Sequence, residues 1–173
     1  MASGQFFDPL TLLRVAPLVT STASLVIAGD SHLFLASFLS LSPQRRQQVN
    51  ELAPRYFEAF FWRGLPAIFA TYGLSVALGA ANAYSRSSPV SSRAWAWAWA
   101  WYAGGSAFAL AHFAFVPKIM WKVKDAIDAK DEGKDGARAV QGWLDVHYVR
   151  MALADVPAWT CFLVAALKTL KSV

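Results

Sequence analysis

Long runs free of Lys, Arg, Asp and Glu set the pattern of this chain: Val15 to Gly29, resumed after Asp30 from Ser31 to Gln44; Gly64 to Ser85; Ala94 to Pro117; and Met151 to Leu167, broken only at Asp155. Spans of about 17 to 25 apolar residues match the length a helix needs to cross a bilayer core of roughly 30 Å. The pattern predicts an all-α, four-transmembrane-helix bundle forming a single integral membrane domain over 1–173, with spans at about 15–41, 58–83, 94–117 and 149–168. SLSPQRR, SRSSPVSSR and DAKDEGKDG read as solvated connections, because Ser, Pro and Gly with mixed charge punctuate helices. Residues 118–129 carry helical spacing past the third span, and Val140 to Arg150 reads as an amphipathic lead-in to the last.

The third span opens on AWAWAWAWY, residues 94 to 102. Alternation with period 2 is a strand signature, and a row of indoles also suits base stacking. The apolar run continues to Pro117, however, and a lone strand in lipid leaves its backbone unsatisfied. On a helix, Trp95 with Trp99 and Trp97 with Trp101 form two ridges, and indoles are favoured at the headgroup level. The segment is therefore expected to anchor the extracytoplasmic end of the third helix, with its inner ridge available to close one end of a cavity.

Composition agrees with lipid as the solvent: 56% of the 173 residues are hydrophobic, 16% are charged, and mean hydropathy is +0.34. The net charge of +5 does not point to nucleic acid, because the basic residues flank apolar spans instead of forming a stripe. Arg14, Arg86, Arg93, Lys168 and Lys171 fall on the side of the termini; the other eleven of the sixteen Lys and Arg fall on the opposite side. By the positive-inside rule that opposite side is cytoplasmic, which gives a multi-pass protein, expected in the endoplasmic reticulum with lumenal termini. Cys161 is the single cysteine and has no partner within the chain.

Ionisable side chains in hydrocarbon cost about 2.5 to 3.5 kcal/mol even on the lenient insertion scale, so each calls for a partner, a wet cavity or a task. The candidates are Asp30 and His32 in the first span, Glu58 entering the second, His112 in the third, and Arg150 and Asp155 entering the fourth. Counting about 1.5 Å per residue puts Asp30 roughly 22 Å from the extracytoplasmic end, and His112 and Asp155 about 7 Å from the cytoplasmic end. One polar cavity facing the cytoplasm is the expectation. Asp145, Tyr148, Ala152, Asp155 and Trp159, spaced 3, 4, 3 and 4, are expected to share a face. The blander alternatives are an ion pair of Asp30 with Arg63 or Arg150, a backbone hydrogen bond for His112, and interfacial snorkelling for Glu58 and Arg63. No HExxH-type spacing or glycine-rich phosphate loop is present, so neither metal nor cofactor is expected; GAANAY and YAGGS read as close helix packing.

Two buried carboxyls with a histidine and an arginine suit proton transfer, because desolvation and a nearby cation push such groups in opposite directions. TSTASLVIAGDSHLFL, YFEAFFWRGLPAIFATYGLS, FALAHFAFVPKI and WLDVHYVRMALADVPAW together resemble the small four-helix integral membrane proteins of fungal polyketide pathways. The layout, including Trp143 and Arg150, is similar to the anthrone oxygenase family and to the membrane epoxide hydrolases and cyclases. That resemblance implies an enzyme that opens an epoxide of an apolar polyketide, with Asp30 or Asp155 as base, the other carboxyl or His112 as acid, and Arg150 setting their charges. The alternatives are a cofactor-independent anthrone oxygenase and a non-enzymatic membrane partner or small transporter.

Overall fold

The computed structural model describes residues 8–41, 43–85, 92–130 and 135–170. Most of the SRSSPVSSR connection, the middle of DAKDEGKDG and the side chain of Trp95 lie outside the described residues. The described residues form helices α1 (Pro9–Leu39), α2 (Arg46–Tyr84), α3 (Ser92–Ala114), α4 (Val116–Asp128), α5 (Gly136–Arg150) and α6 (Val156–Thr169), and no strand occurs among them. A single π turn, Met151–Asp155, joins α5 to α6, so that Gly136–Thr169 is one continuous helix. Three helices, Pro9–Leu39, Arg46–Tyr84 and Gly136–Thr169, are long and apolar enough to cross a membrane.

Asp8 caps α1: its carboxylate accepts the Thr11 hydroxyl at 2.7 Å and the Leu10 N–H at 3.1 Å, which holds it below the usual carboxylate range. Along α1 the buried residues are Arg14, Pro17, Ser21, Ser24, Ala28, Ser31 and Leu35, in steps of three and four. The opposite face exposes Leu12, Val19, Val26 and Leu33. Small and polar residues inside with large apolar ones outside reverse the order of a water-soluble helix, and small inward residues let backbones approach closely. Hydrogen bonds between helices replace apolar burial as the glue. Asn82 Nδ2 donates to the Leu13 carbonyl at 2.7 Å, Ser75 Oγ to Thr20 Oγ1 at 2.8 Å, and Trp159 Nε1 to Thr22 Oγ1 at 2.9 Å.

Helix α2 begins twelve residues before the span expected from hydropathy, and at 39 residues it is about 58 Å long, far beyond the hydrocarbon thickness. Its surplus belongs to a second layer. Val49, Ala53, Phe57 and Phe61 pack against Ile119, Val123 and Ala126 of α4 and Val140, Trp143 and Leu144 of α5. Pro54 lacks the N–H that would close on the Asn50 carbonyl. Gly136 packs over that carbonyl and the Pro54 ring, and the Ala137 N–H donates to Asn50 Oδ1 at 3.3 Å. Helical structure continues past the third span as expected, but as a separate helix: the chain turns at Phe115, immediately before Val116 and Pro117.

At the other end of the bundle, Ala98, Tyr102, Gly105, Ala109 and His112 form the buried stripe of α3. The indoles of Trp97, Trp99 and Trp101 flank that stripe and are exposed, so no described indole of the run faces inward. The Tyr102 hydroxyl donates to the Arg14 carbonyl at 2.9 Å and meets Thr169 Oγ1 at 3.0 Å. Gly79 of GAANAY and Gly105 of YAGGS both sit against the Phe162 ring, where an added Cβ meets ring carbons at 2.6 Å. Close packing is therefore what both glycines serve.

Candidate active site

Between α1 and α2, about 22 Å along α3 from Trp97, lies a cavity of about 340 Å³. Its walls are mostly apolar and aromatic: Phe34, Phe60, Phe61, Trp62, Phe69 and Phe113 all contribute. One wall is made by Tyr72 of α2, His112 of α3, and His147 and Arg150 of α5, and Ser24, Asp30 and Ser31 of α1 with Thr71 of α2 add polar groups elsewhere in the lining.

Behind that wall stands Asp155. Its Oδ1 accepts from His112 Nδ1 at 3.0 Å, and its Oδ2 lies 3.5 Å from Arg150 Nε, an ion pair in which neither atom completes a hydrogen bond. All three side chains are buried. A carboxylate only accepts, so the His112 proton sits on Nδ1 and its Nε2 is left with a lone pair. An imidazole held by a carboxylate behind it, with its far nitrogen free, is the arrangement of a general base.

The second histidine is fixed the opposite way. Arginine only donates, so His147 Nδ1 accepts from Arg150 at 2.8 Å, and Nε2–H donates to the Ala28 carbonyl at 2.9 Å. His147 is thereby committed at both nitrogens and serves to hold Arg150. Trp143 stacks on it, with centroids 4.7 Å apart and planes 17° from parallel, and meets Phe57 edge-on at 5.1 Å. The phenol of Tyr72 lies against the His112 ring, centroids 3.7 Å apart, and its buried hydroxyl lies close to Asp155 without completing a well-aligned hydrogen bond.

The π turn makes this meeting possible. Arg150 and Asp155 are five positions apart, which in an α-helix leaves them about 140° apart around the axis. In a π turn the hydrogen bonds run from i to i+5, here from the Val156 N–H to the Met151 carbonyl, and residues five apart draw much closer around the axis than in an α-helix. Pro157 accounts for the widening, since it offers no N–H to the Leu153 carbonyl and its ring crowds that carbonyl. The face expected from regular spacing is therefore split: Asp155 is buried, while Asp145, Tyr148 and Ala152 are exposed.

Of the six residues singled out from sequence, His112, Arg150 and Asp155 come together. Asp30 lines the same cavity but at its rim, exposed and without the pairing to Arg63 or Arg150 that was one alternative. His32 lies outside the lining, its ring 5.9 Å from that of Tyr148. Glu58 is not in the cavity: it binds Lys130 at 2.9 Å, both half-exposed, across the junction of α2 with the end of α4. Tyr72 is a site residue that the charged groups and histidines of the sequence do not reveal, although a phenol in the middle of FATYGLS carries the same signal, a polar tip in hydrocarbon. Among the described residues no three of His, Cys, Asp and Glu gather as a metal-ligand set.

Comparison with known proteins gives this site a family. The chain is 32% identical to "Probable epoxidase scpX" of Mollisia scopiformis over 93% of this chain and 98% of that protein. It is 31% identical to "Epoxidase gkaX" of Penicillium citrinum, over 93% and 96%, and 29% identical to "Epoxidase pydX" of Acremonium sp, over 94% and 96%. No family model matches the chain, and no solved structure matches it. Similarity spans nearly the whole of both chains, so it covers all the elements that build the cavity. The chain belongs to the family of these fungal epoxidases, epoxide-related enzymes of secondary metabolism.

Proposed function

We propose that this protein is a membrane-embedded epoxidase that acts on an alkene of an apolar polyketide-type metabolite. The observation that carries the reading is the apolar cavity with one polar wall, in a chain related end to end to proteins named epoxidases. In the balanced reaction one oxygen atom of dioxygen bridges the two alkene carbons. The other leaves as water, with two electrons from a cellular reductant and two protons. Tyr72 and His112 are the proton carriers at the polar wall. Asp155 holds His112 in place, and the Arg150 guanidinium, steadied by His147, offsets negative charge on the reduced oxygen.

The sequence favoured opening an epoxide over making one, and the His112–Asp155 pair supports that as a second reading. His112 Nε2 removes a proton from water or a substrate hydroxyl, the freed oxygen attacks one epoxide carbon, the C–O bond there breaks, and Tyr72 protonates the departing oxygen. That route needs no oxidant. In both readings α3 also crosses the membrane, as the third of four spans, the α4–α5 layer and the polar wall lie towards the cytoplasm, and the termini are lumenal in the endoplasmic reticulum. The substrate arrives from the bilayer.

Deleting the gene in the producing organism and identifying what accumulates tests the proposal. An accumulating alkene is the expected result. An accumulating epoxide transfers the protein to the second reading, and an unchanged metabolite profile removes both.

A further inference from the structure

Asp30 is the residue that the catalytic cluster leaves over. It sits in the middle of an apolar helix, two residues after the Ala28 carbonyl that holds His147, so it stands about 3 Å along the axis from the level of the polar wall. Unlike Asp155, it is exposed, and it makes no hydrogen bond or ion pair among the described residues. It nevertheless lines the cavity, and the other exposed lining residues are Phe34 on its own helix, Trp62 and Phe69 on α2, and Val116 and Met120 on α4. Helices α1 and α2 are long and apolar enough to cross a membrane, so the part of the rim that they form opens on the flank of the bundle, where the surroundings are hydrocarbon. A carboxylate with no protein partner in such a place is expensive, and one placed at a binding cavity gains its partner from the ligand.

We infer that the rim between α1 and α2 admits substrate sideways from the membrane and that Asp30 recognises a hydrogen-bond donor, an amide N–H or a hydroxyl, on an otherwise apolar molecule. This rests on the cavity being the substrate site. Asp30 is a binding residue in this account, distinct from the His112, Asp155 and Tyr72 group. Aromatic rims favour long or flat apolar bodies, while a carboxylate accepts donors and repels esters, ethers and other acids. Selectivity for a donor-bearing metabolite over its alkylated form follows, because a hydrogen bond to a charged acceptor in a dry site is strong and its absence leaves that acceptor unpaired.

The full chain in lipid nanodiscs provides the test, with oleamide and N,N-dimethyloleamide as probes competing against tritiated oleamide. The wild type is expected to prefer the primary amide by at least about tenfold, equivalent to about 1.4 kcal/mol. Asp30→Ala should reduce that preference below about twofold while binding the dimethyl amide as the wild type does, and Asp30→Asn, whose amide oxygen still accepts, should fall between. A wild type without preference, or a preference that survives Asp30→Ala, overturns the inference. Binding of these probes involves no oxygen transfer, so the result stands apart from whether the protein makes or opens epoxides.

Discussion

Tyr72 keeps its hydroxyl buried near Asp155 without completing a well-aligned hydrogen bond, which lowers stability unless the group serves a ligand. Tyr72→Phe removes that oxygen and nothing else. The melting temperature in detergent should therefore hold or rise, while turnover drops by roughly 100-fold or more, the usual contribution of a positioned proton donor. A loss of stability together with full activity would remove Tyr72 from the site. Glu58 makes the contrast: its exposed-edge pair with Lys130 belongs to the class of interactions that contribute about 0 to 1 kcal/mol. At this scale the sequence showed which polar residues were out of place, as with His112, Arg150 and Asp155. It did not show which of them would find partners at the surface, because Lys130 is 72 residues from Glu58.

Between residues and the whole molecule, the π turn is the element that decides the site. Regular spacing assigned Asp155 to the face of Tyr148, and that assignment failed because Pro157 widens the turn before it and carries Asp155 round to Arg150. The proline was legible in VPAW; its effect on the five residues before it was not, since a proline at this position is equally compatible with a kink or a break. Pro157→Ala restores an N–H for the Leu153 carbonyl and lets the helix narrow. Activity should fall at least about tenfold as Arg150 and Asp155 separate, with no loss of thermal stability. Full activity in that variant would show that the π turn is incidental. The division of the third apolar run at Phe115 has a similar origin, since Pro117 follows closely and a new helix starts with it.

The molecule as a whole is turned outside in. Its exposed faces carry many Leu, Val, Phe and Trp side chains, its inner stripes carry Ser, Asn, Gly and Arg, and the candidate residues His112, Arg150 and Asp155 are buried. The apolar runs announced an all-helical chain, three of whose helices are long and apolar enough to cross a membrane, and Asp30 and His112 of the expected polar level line the cavity while Glu58 does not. The layer of α4, α5 and the first turns of α2 was legible only in part, because its contacts join segments distant in sequence. The direction of the chemistry was the least legible feature: a histidine, a carboxylate and a phenol around an apolar cavity serve epoxide formation and epoxide opening alike. Isotope labelling tests the central claim most directly. Membranes from cells expressing the protein are given the alkene that accumulates on deletion, once under ¹⁸O₂ in ordinary water and once under ordinary oxygen in H₂¹⁸O. The account predicts one ¹⁸O atom in the epoxide from ¹⁸O₂ and none from water. Label that enters only from water, in a diol, or an alkene that is left unchanged, would contradict it.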